Sequence, residues 1–416
     1  MIAGIQAGAR ETGARSLDDE LGGELAGLER CGLRRALKTV ERRRGAEVVA
    51  DGRRAVDFSS NDYLGLASDP RIAEAAARAL GDAGTGAGAA RLISGNHPLH
   101  EELERELARF KRAPAALLFA SGYAANTGAI PALVGRGDVV YSDELNHASV
   151  IDACRLSRAA LRVVPHADLE ALEDMLRRDR GRFRRRLIVV DAVFSMDGSL
   201  FPLDALVEIA KRHGAWTYVD DAHGTAVLGR EGRGSPEHWG VEGRIDVVMG
   251  TLGKALGTAG AFVAGSKTLC EWLMNRARPF VFTTGSPPAL AAAALAALRI
   301  AEDEPWRRDR LRANARRLRE GLAALGRPAP GEADGHIVPV LIGGAEETMR
   351  AGRLLAERGF LAGAVRPPTV PPGTSRLRLT LSAAHTGEQV DGLLAALAEV
   401  LGTAPSDHER PDLDCG

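Results

Sequence analysis

Seven short apolar runs between residues 58 and 290 constrain this chain more than any other feature. They are ALLF (116–119), DVVY (138–141), RVVP (162–165), LIVVD (187–191), WTYVD (216–220), DVVM (246–249) and AFVA (261–264). The runs are rich in β-branched residues and do not alternate polar with apolar, which marks strands buried on both faces. Helical stretches alternate with them. The pattern predicts an α/β fold, with a mostly parallel seven-stranded sheet covered by helices on both sides. In such sheets ligands bind beyond the carboxyl ends of the strands, so polar residues just after each run are where chemistry belongs.

Other segments flank this large domain of 58–290. Residues 1–57 read as an arginine-rich, largely helical arm ending in a hairpin at ADGRR (50–54), whose Asp-Gly pair favours a tight turn. From 291 to 402 the order becomes helix (303–325), strand (336–342), helix (345–359), strand (376–381) and helix (386–401), a smaller α+β domain. Residues 403–416 read as a disordered tail.

Composition removes several classes of function. Lys plus Arg number 54 against 55 Asp plus Glu, which gives no support to a nucleic-acid partner. The four cysteines, Cys31, Cys154, Cys270 and Cys415, lack CxxC spacing. That argues against a disulfide scaffold and a metal site, and for a reducing compartment, the cytoplasm. The N-terminus lacks the basic-then-apolar order of a signal peptide, and PALAAAALAAL (288–298) is too short and alanine-rich to span a bilayer. No membrane association is expected. It reads as a packed helix.

Three look-alike motifs fail on context. GTGAGA (84–89) fits a dinucleotide fingerprint, but an alanine-rich helix precedes it where a strand is required. The segment around Lys254 has neither the upstream glycine nor the following Ser or Thr of a P-loop. RRDRGRFRRR (177–186) carries one aromatic and no repeat, so it reads as a solvated helix end and loop.

The polar residues after the strand runs fit the demands of pyridoxal 5'-phosphate. YVDDAHG (218–224) and MGTLGKA (249–255) place Asp220, His223 and Lys254 at two strand ends. The cofactor needs a lysine to hold its aldehyde, and Lys254 lies in a glycine-rich turn where a lysine has no structural purpose. It needs a carboxylate at the ring nitrogen, since only the protonated ring withdraws electrons strongly; Asp220 is the candidate. His223 and Ser195, in VFSMDG (193–198), can contact the phenolic oxygen. Ser121, Gly122 and Tyr123 open a helix in SGYAAN (121–126), where amides form an anion site, and Thr251 can add a hydroxyl. Ser121 also reads as a plain N-cap, and both roles are compatible. His147, in NHAS (146–149), can stack on the ring.

Taken together, SSNDYLGL (59–66), LISGNHPLHEELE (92–104), the motifs above and RLRLTLSAAHT (376–386) resemble the α-oxoamine synthase family of fold type I pyridoxal phosphate enzymes, in order from about 30 to 402. The resemblance implies that Lys254 carries the cofactor, Asp220 pairs with the pyridinium, and His147 stacks on the ring. It also implies that Arg378 grips the amino-acid carboxylate with help from Asn61, a task that suits a planar, bidentate guanidinium. Arg34 and Thr369 match positions associated with substrate binding. Family members are homodimers with a shared active site, so Thr284 is expected to reach the partner's phosphate. At 190–192, VDA replaces the family's usual Thr, then Glu or Asp, then Gly; Asp191 keeps the acid.

The loop RPPTVPPGT (366–374) resembles the branch that condenses L-alanine with a pimeloyl thioester, carried by acyl carrier protein or CoA, in biotin synthesis. The expected reaction is a decarboxylative acyl transfer. Other branches, the 5-aminolevulinate synthases, 2-amino-3-ketobutyrate CoA ligases and serine palmitoyltransferases, share the motifs around the cofactor. A non-catalytic homodimer of the same fold is the remaining alternative, and the joint presence of Lys254, Asp220 and His223 argues against it.

Overall fold

A computed structural model describes residues 16–333 and 335–402. The expected tail at 403–416 therefore lies outside the described residues, as does the start of the arm. After the helix Leu17–Arg30 come three strands, β1 (Val40–Arg44), β2 (Glu47–Ala50) and β3 (Arg53–Asp57). The Asp51-Gly52 turn between β2 and β3 has both residues at positive φ, as a two-residue hairpin requires.

The large sheet comprises β4 (Ala115–Phe119), β5 (Val139–Asp143), β6 (Ala160–Val164), β7 (Arg186–Asp191), β8 (Trp216–Asp220), β9 (Val247–Thr251) and β10 (Ala261–Gly265). Each falls on one of the seven sequence runs. Their spatial order is β4-β10-β9-β8-β7-β5-β6, with β10 antiparallel to both neighbours and the remaining pairs parallel. Helices cover both faces. On one, the helix Gly122–Leu133 packs through Ala125, Ala129 and Ile130 against Val189, Tyr218, Met249 and Val263. On the other, the 139–219 half of the sheet packs against Leu203, Leu206 and Ile209.

A third core joins the sheet to the rest of the chain. It runs from Phe58, Tyr63, Leu64 and Leu66 through the helices Pro98–Phe110 and Pro288–Asp303 to Leu377, Leu379 and Leu381. Each fully buried leucine of this set contributes about 1.5–3 kcal/mol relative to exposure, so the segment 58–66 is pinned firmly.

The C-terminal part contains β11 (Ile337–Gly343), β12 (Phe360–Leu361), β13 (Gly363–Val365) and β14 (Ser375–Thr380). Sequence reading anticipates β11 and β14 but not β1, β12 or β13. The last two are only two and three residues long, too short to show a period of their own. β12 pairs in parallel with β3, so the hairpin of the arm and the C-terminal segment share one four-stranded sheet. No described helix is long and apolar enough to cross a membrane.

Candidate active site

The carboxyl ends of β5, β7, β8 and β9 converge on one floor. Along β8, alternation sends Asp220 and Asp221 to opposite sides. Asp220 accepts from Asn126 Nδ2 at 2.8 Å and from the amide of Ala222 at 3.0 Å. Asp221 instead meets Lys111 Nζ at 2.7 Å, with Ser235 bonding its other oxygen. Asn126 is oriented in turn, since its oxygen accepts from the buried Tyr218 hydroxyl at 2.7 Å. Its amide nitrogen also donates to Ser149 Oγ at 2.9 Å, and Ser149 Oγ meets His147 Nδ1 at 2.7 Å. A polar chain thus connects His147, exposed on the site side, to the Asp220 carboxylate.

Lys254 comes from the loop between β9 and β10. This loop turns back sharply at Gly257, whose φ is +63° and where a Cβ would lie 2.4 Å from the amide nitrogen of Ala67. Only glycine admits that approach. The contact brings the 59–66 segment against the lysine loop. Lys254 Nζ lies 3.0 Å from His223 Nε2, and His223 Nδ1 lies 2.6 Å from the Tyr63 hydroxyl. Tyr63 donates to Asn61 Oδ1 at 3.0 Å, which also accepts from Arg378 NH2 at 3.2 Å. Arg378 Nε donates to the backbone oxygen of Ser195.

Burial sets the charge states. It holds the His223 imidazole well below its ordinary pKa, and the cationic Lys254 and Arg378 push in the same direction. Partial removal from water lowers Lys254 from the usual lysine range, against the opposing pull of Asp220 and Asp191. Burial raises Asp191 well above the carboxylate range, with Asp220 beside it on β8 adding to the effect. Asp191 Oδ2 accepts from the amide of His147 at 3.1 Å, and its buried Oδ1 has no hydrogen-bond partner among the described residues.

These residues fit pyridoxal phosphate. Ser121 caps the helix Gly122–Leu133, accepting from Ala124 at 3.1 Å, which leaves the amides of Gly122 and Tyr123 at the helix start for an anion. A Cβ on Gly122 would sit 3.0 Å from Thr251 Cγ2, so the missing side chain leaves a cradle between these two residues. Asp220 supplies a buried carboxylate for a cationic ring nitrogen, Lys254 a half-buried amine, and Asp191 Oδ1 an unpartnered polar atom at the floor.

The sequence candidates therefore separate into two groups. Lys254, His223, Asn61, Arg378 and the backbone of Ser195 lie on one contact chain, Asp220 and His147 lie on a second, and Gly122 adjoins Thr251. Tyr123 turns its hydroxyl toward Asp152 and is half exposed. Thr284 forms an isolated bridge with Ala90. Arg34 pairs with Glu29 at 3.2 Å, while its backbone oxygen accepts from Arg366 at 3.0 Å. Thr369 accepts from Arg35 NH2 at 3.3 Å, so the arm docks on the 366–374 loop. Sequence reasoning passed over Asn126, Tyr63, Ser149 and His336. Asn126 had a signal: four residues after Gly122, it lies on the same helix face. Buried His336 packs edge-on to Tyr63, with ring centroids 4.3 Å apart, and had none.

Comparison with known proteins places this architecture in a family. Residues 53–397 match the model for aminotransferase class I and II. The 8-amino-7-oxononanoate synthase of Anaeromyxobacter sp. (strain K) is 52% identical over 397 residues, which cover 95% of this chain and 99% of that protein. That of Methylococcus capsulatus is 52% identical, with 88% and 94% covered. Among solved structures, Sphingomonas wittichii serine palmitoyltransferase matches with a TM-score of 0.88 at 32% identity, covering 94% and 99%. The Francisella tularensis 8-amino-7-oxononanoate synthase matches with 0.73 at 28% identity, covering 84% and 98%. The chain belongs to the aminotransferase class I and II family and, within it, to the 8-amino-7-oxononanoate synthases, acyltransferase enzymes of fold type I.

Proposed function

We propose that the protein condenses L-alanine with a pimeloyl thioester of acyl carrier protein or CoA, releasing CO2 and the free carrier and forming 8-amino-7-oxononanoate for biotin synthesis. The observation that carries this reading is the contact chain from Lys254 through His223, Tyr63 and Asn61 to Arg378. It sets a proton-transferring amine beside a carboxylate-binding pair. Pyridoxal 5'-phosphate is the cofactor, and when bound it supplies the protonated ring that takes up the electron pair left at the substrate α-carbon.

The chain's own groups do the rest. Asp220 keeps the proton on the ring nitrogen. Ser121, Gly122, Tyr123 and Thr251 receive the phosphate, His147 lies over the ring, and His223 and Ser195 serve the phenolic oxygen. Arg378 and Asn61 fix the amino-acid carboxylate. Lys254 Nζ takes the α-proton and returns one after the carboxylate has left. Arg34 and Thr369, held at the junction of the arm with the 366–374 loop, line the approach of the acyl chain. Two copies share each site, with Thr284 extending to the partner's phosphate. Ile93 and Phe282, 81% and 71% exposed near the Ala90–Thr284 bridge, offer an apolar surface for that contact. The cytoplasm, a reducing setting, suits the free thiols of Cys31, Cys154 and Cys270.

Product analysis with alanine and pimeloyl thioester tests the proposal. Equal release of CO2, free thiol and aminoketone is expected. A keto acid formed from alanine without carrier release would overturn it. The same assay across glycine, serine and other acyl thioesters separates this reaction from those of the other α-oxoamine synthases.

A further inference from the structure

Tyr63 is fully buried, and its hydroxyl meets Asn61 Oδ1 at 3.0 Å and His223 Nδ1 at 2.6 Å, with the Arg378 guanidinium, which can only donate, also beside it. It has one proton to give. Arg378 is a pure donor, so the Asn61 atom that it meets at 3.2 Å is the amide oxygen, which can only accept. The Tyr63 proton therefore lies toward Asn61. His223 Nδ1 must then supply the proton of the 2.6 Å contact, which leaves Nε2 as a bare lone pair facing Lys254 Nζ at 3.0 Å. Asn61 and Tyr63 together decide which nitrogen of His223 can accept from the lysine.

An amino-acid carboxylate at Arg378 competes with Asn61 Oδ1 for the guanidinium. That alters the acceptor strength of Oδ1, hence the hold of Asn61 on the Tyr63 proton, hence the proton affinity of His223 Nε2. We propose that Tyr63 is a positioning residue whose hydroxyl couples carboxylate binding at Arg378 and Asn61 to the proton shared by His223 and Lys254. The inference rests on the reading of Lys254 as the cofactor-bearing lysine. It gives the lysine a means of sensing that the substrate is seated. Burial keeps the hydroxyl protonated, its pKa pushed up to about 12. The other charged or titratable groups facing the His223–Lys254 pair are Asp220 and Asp191 from the sheet, His147, and Arg378 and His336 from the C-terminal part.

The test uses holoenzyme and propionate, which keeps the methyl and carboxylate of alanine but has no amine to displace the lysine. The pH midpoint of the cofactor's visible absorption band is measured with and without saturating propionate, and its occupancy is checked by competition with alanine. Propionate is expected to move the midpoint by about one pH unit in the unmodified protein, and by less than about half of that in Tyr63→Phe. Tyr63→Phe keeps the ring that packs on His336, and an unchanged melting temperature verifies its fold. Asn61→Ala cuts the same chain one link earlier and serves if Tyr63→Phe does not fold. Equal displacement in variant and unmodified protein would mean that the carboxylate acts directly through its charge, and would overturn the coupling, as would no displacement in the unmodified protein. A preparation that never develops a visible band overturns the cofactor reading itself, a separate failure.

Discussion

Asp220 and Asp221 are consecutive in the chain, yet Asp220 accepts from Asn126 at 2.8 Å inside the site while Asp221 pairs with Lys111 at 2.7 Å on the far side of the strand. Their substitutions should separate cleanly. Asp220→Asn loses a charge-assisted bond to the ring nitrogen, worth on the order of 1.5–3 kcal/mol, and should weaken cofactor binding roughly tenfold to a hundredfold with little change in stability. Asp221→Asn takes the counter-charge from the Lys111 ammonium, which is 3% exposed and keeps only the neutral acceptors Thr225 Oγ1 and the Arg233 carbonyl, and should cost about 3–5 kcal/mol in urea unfolding while sparing the visible spectrum. Cofactor titration followed by fluorescence, together with denaturation curves, checks both.

Replacing Lys254 removes the covalent attachment point and the proton carrier at once. Lys254→Ala should lack the lysine-linked absorption band and lose at least roughly 10²–10⁴-fold in turnover, with the fold retained. Absorbance after cofactor addition and single-turnover assays decide it. A variant that keeps most of its rate would remove Lys254 from the mechanism.

Arg378 meets Asn61 and the Ser195 carbonyl through a rigid guanidinium fork. Arg378→Lys keeps the charge but loses the paired geometry. The KM for alanine should rise roughly tenfold to a hundredfold, with a smaller effect on the KM for the acyl thioester. Steady-state kinetics with each substrate varied in turn gives the split.

Buried histidines make stability depend on pH. His385 stacks on Phe58 at 4.0 Å, its Nδ1 accepts from the amide of Ser382, and burial depresses its pKa to about 4; His336 is lowered to about 3. Below pH 6.5 the unfolded chain binds protons at these positions and the folded chain does not. Stability therefore falls as pH falls from about 6.5 toward 4, by about 1.4 kcal/mol per unit for each histidine. His385→Gln should flatten that slope by about one histidine's share, measured by urea unfolding across this range.

Much of this was legible in the chain. The seven strands announced themselves because each is a near-continuous apolar run bounded by polar residues. Lys254, Asp220 and His223 stood out because an ionisable residue in a glycine turn or at the end of an apolar strand needs a reason to be there, whereas Arg378, inside β14, came only through the family resemblance of the RLRLTL segment. Tyr63 and His336 were hidden, since nothing in local spacing shows that a tyrosine near residue 60 will bond a histidine some 160 positions later. β12 and β13 escaped because strands of two or three residues owe their existence to β3 and β14, not to their own composition.

The reversal of β10 against β9 has a consequence for how the site is assembled. Those two strands join through a nearby turn, so Lys254 takes its first contacts from residues close in sequence, and the approach of Gly257 to Ala67 then adds one from far along the chain. Asp220 and His223 reach it only once the connection from β8 to β9, which carries the short helix Ser235–His238, has closed, and such a parallel pairing forms more slowly than a local turn. Damage that loosens the connection from β8 to β9 should thus leave the lysine on its turn and displace its partners.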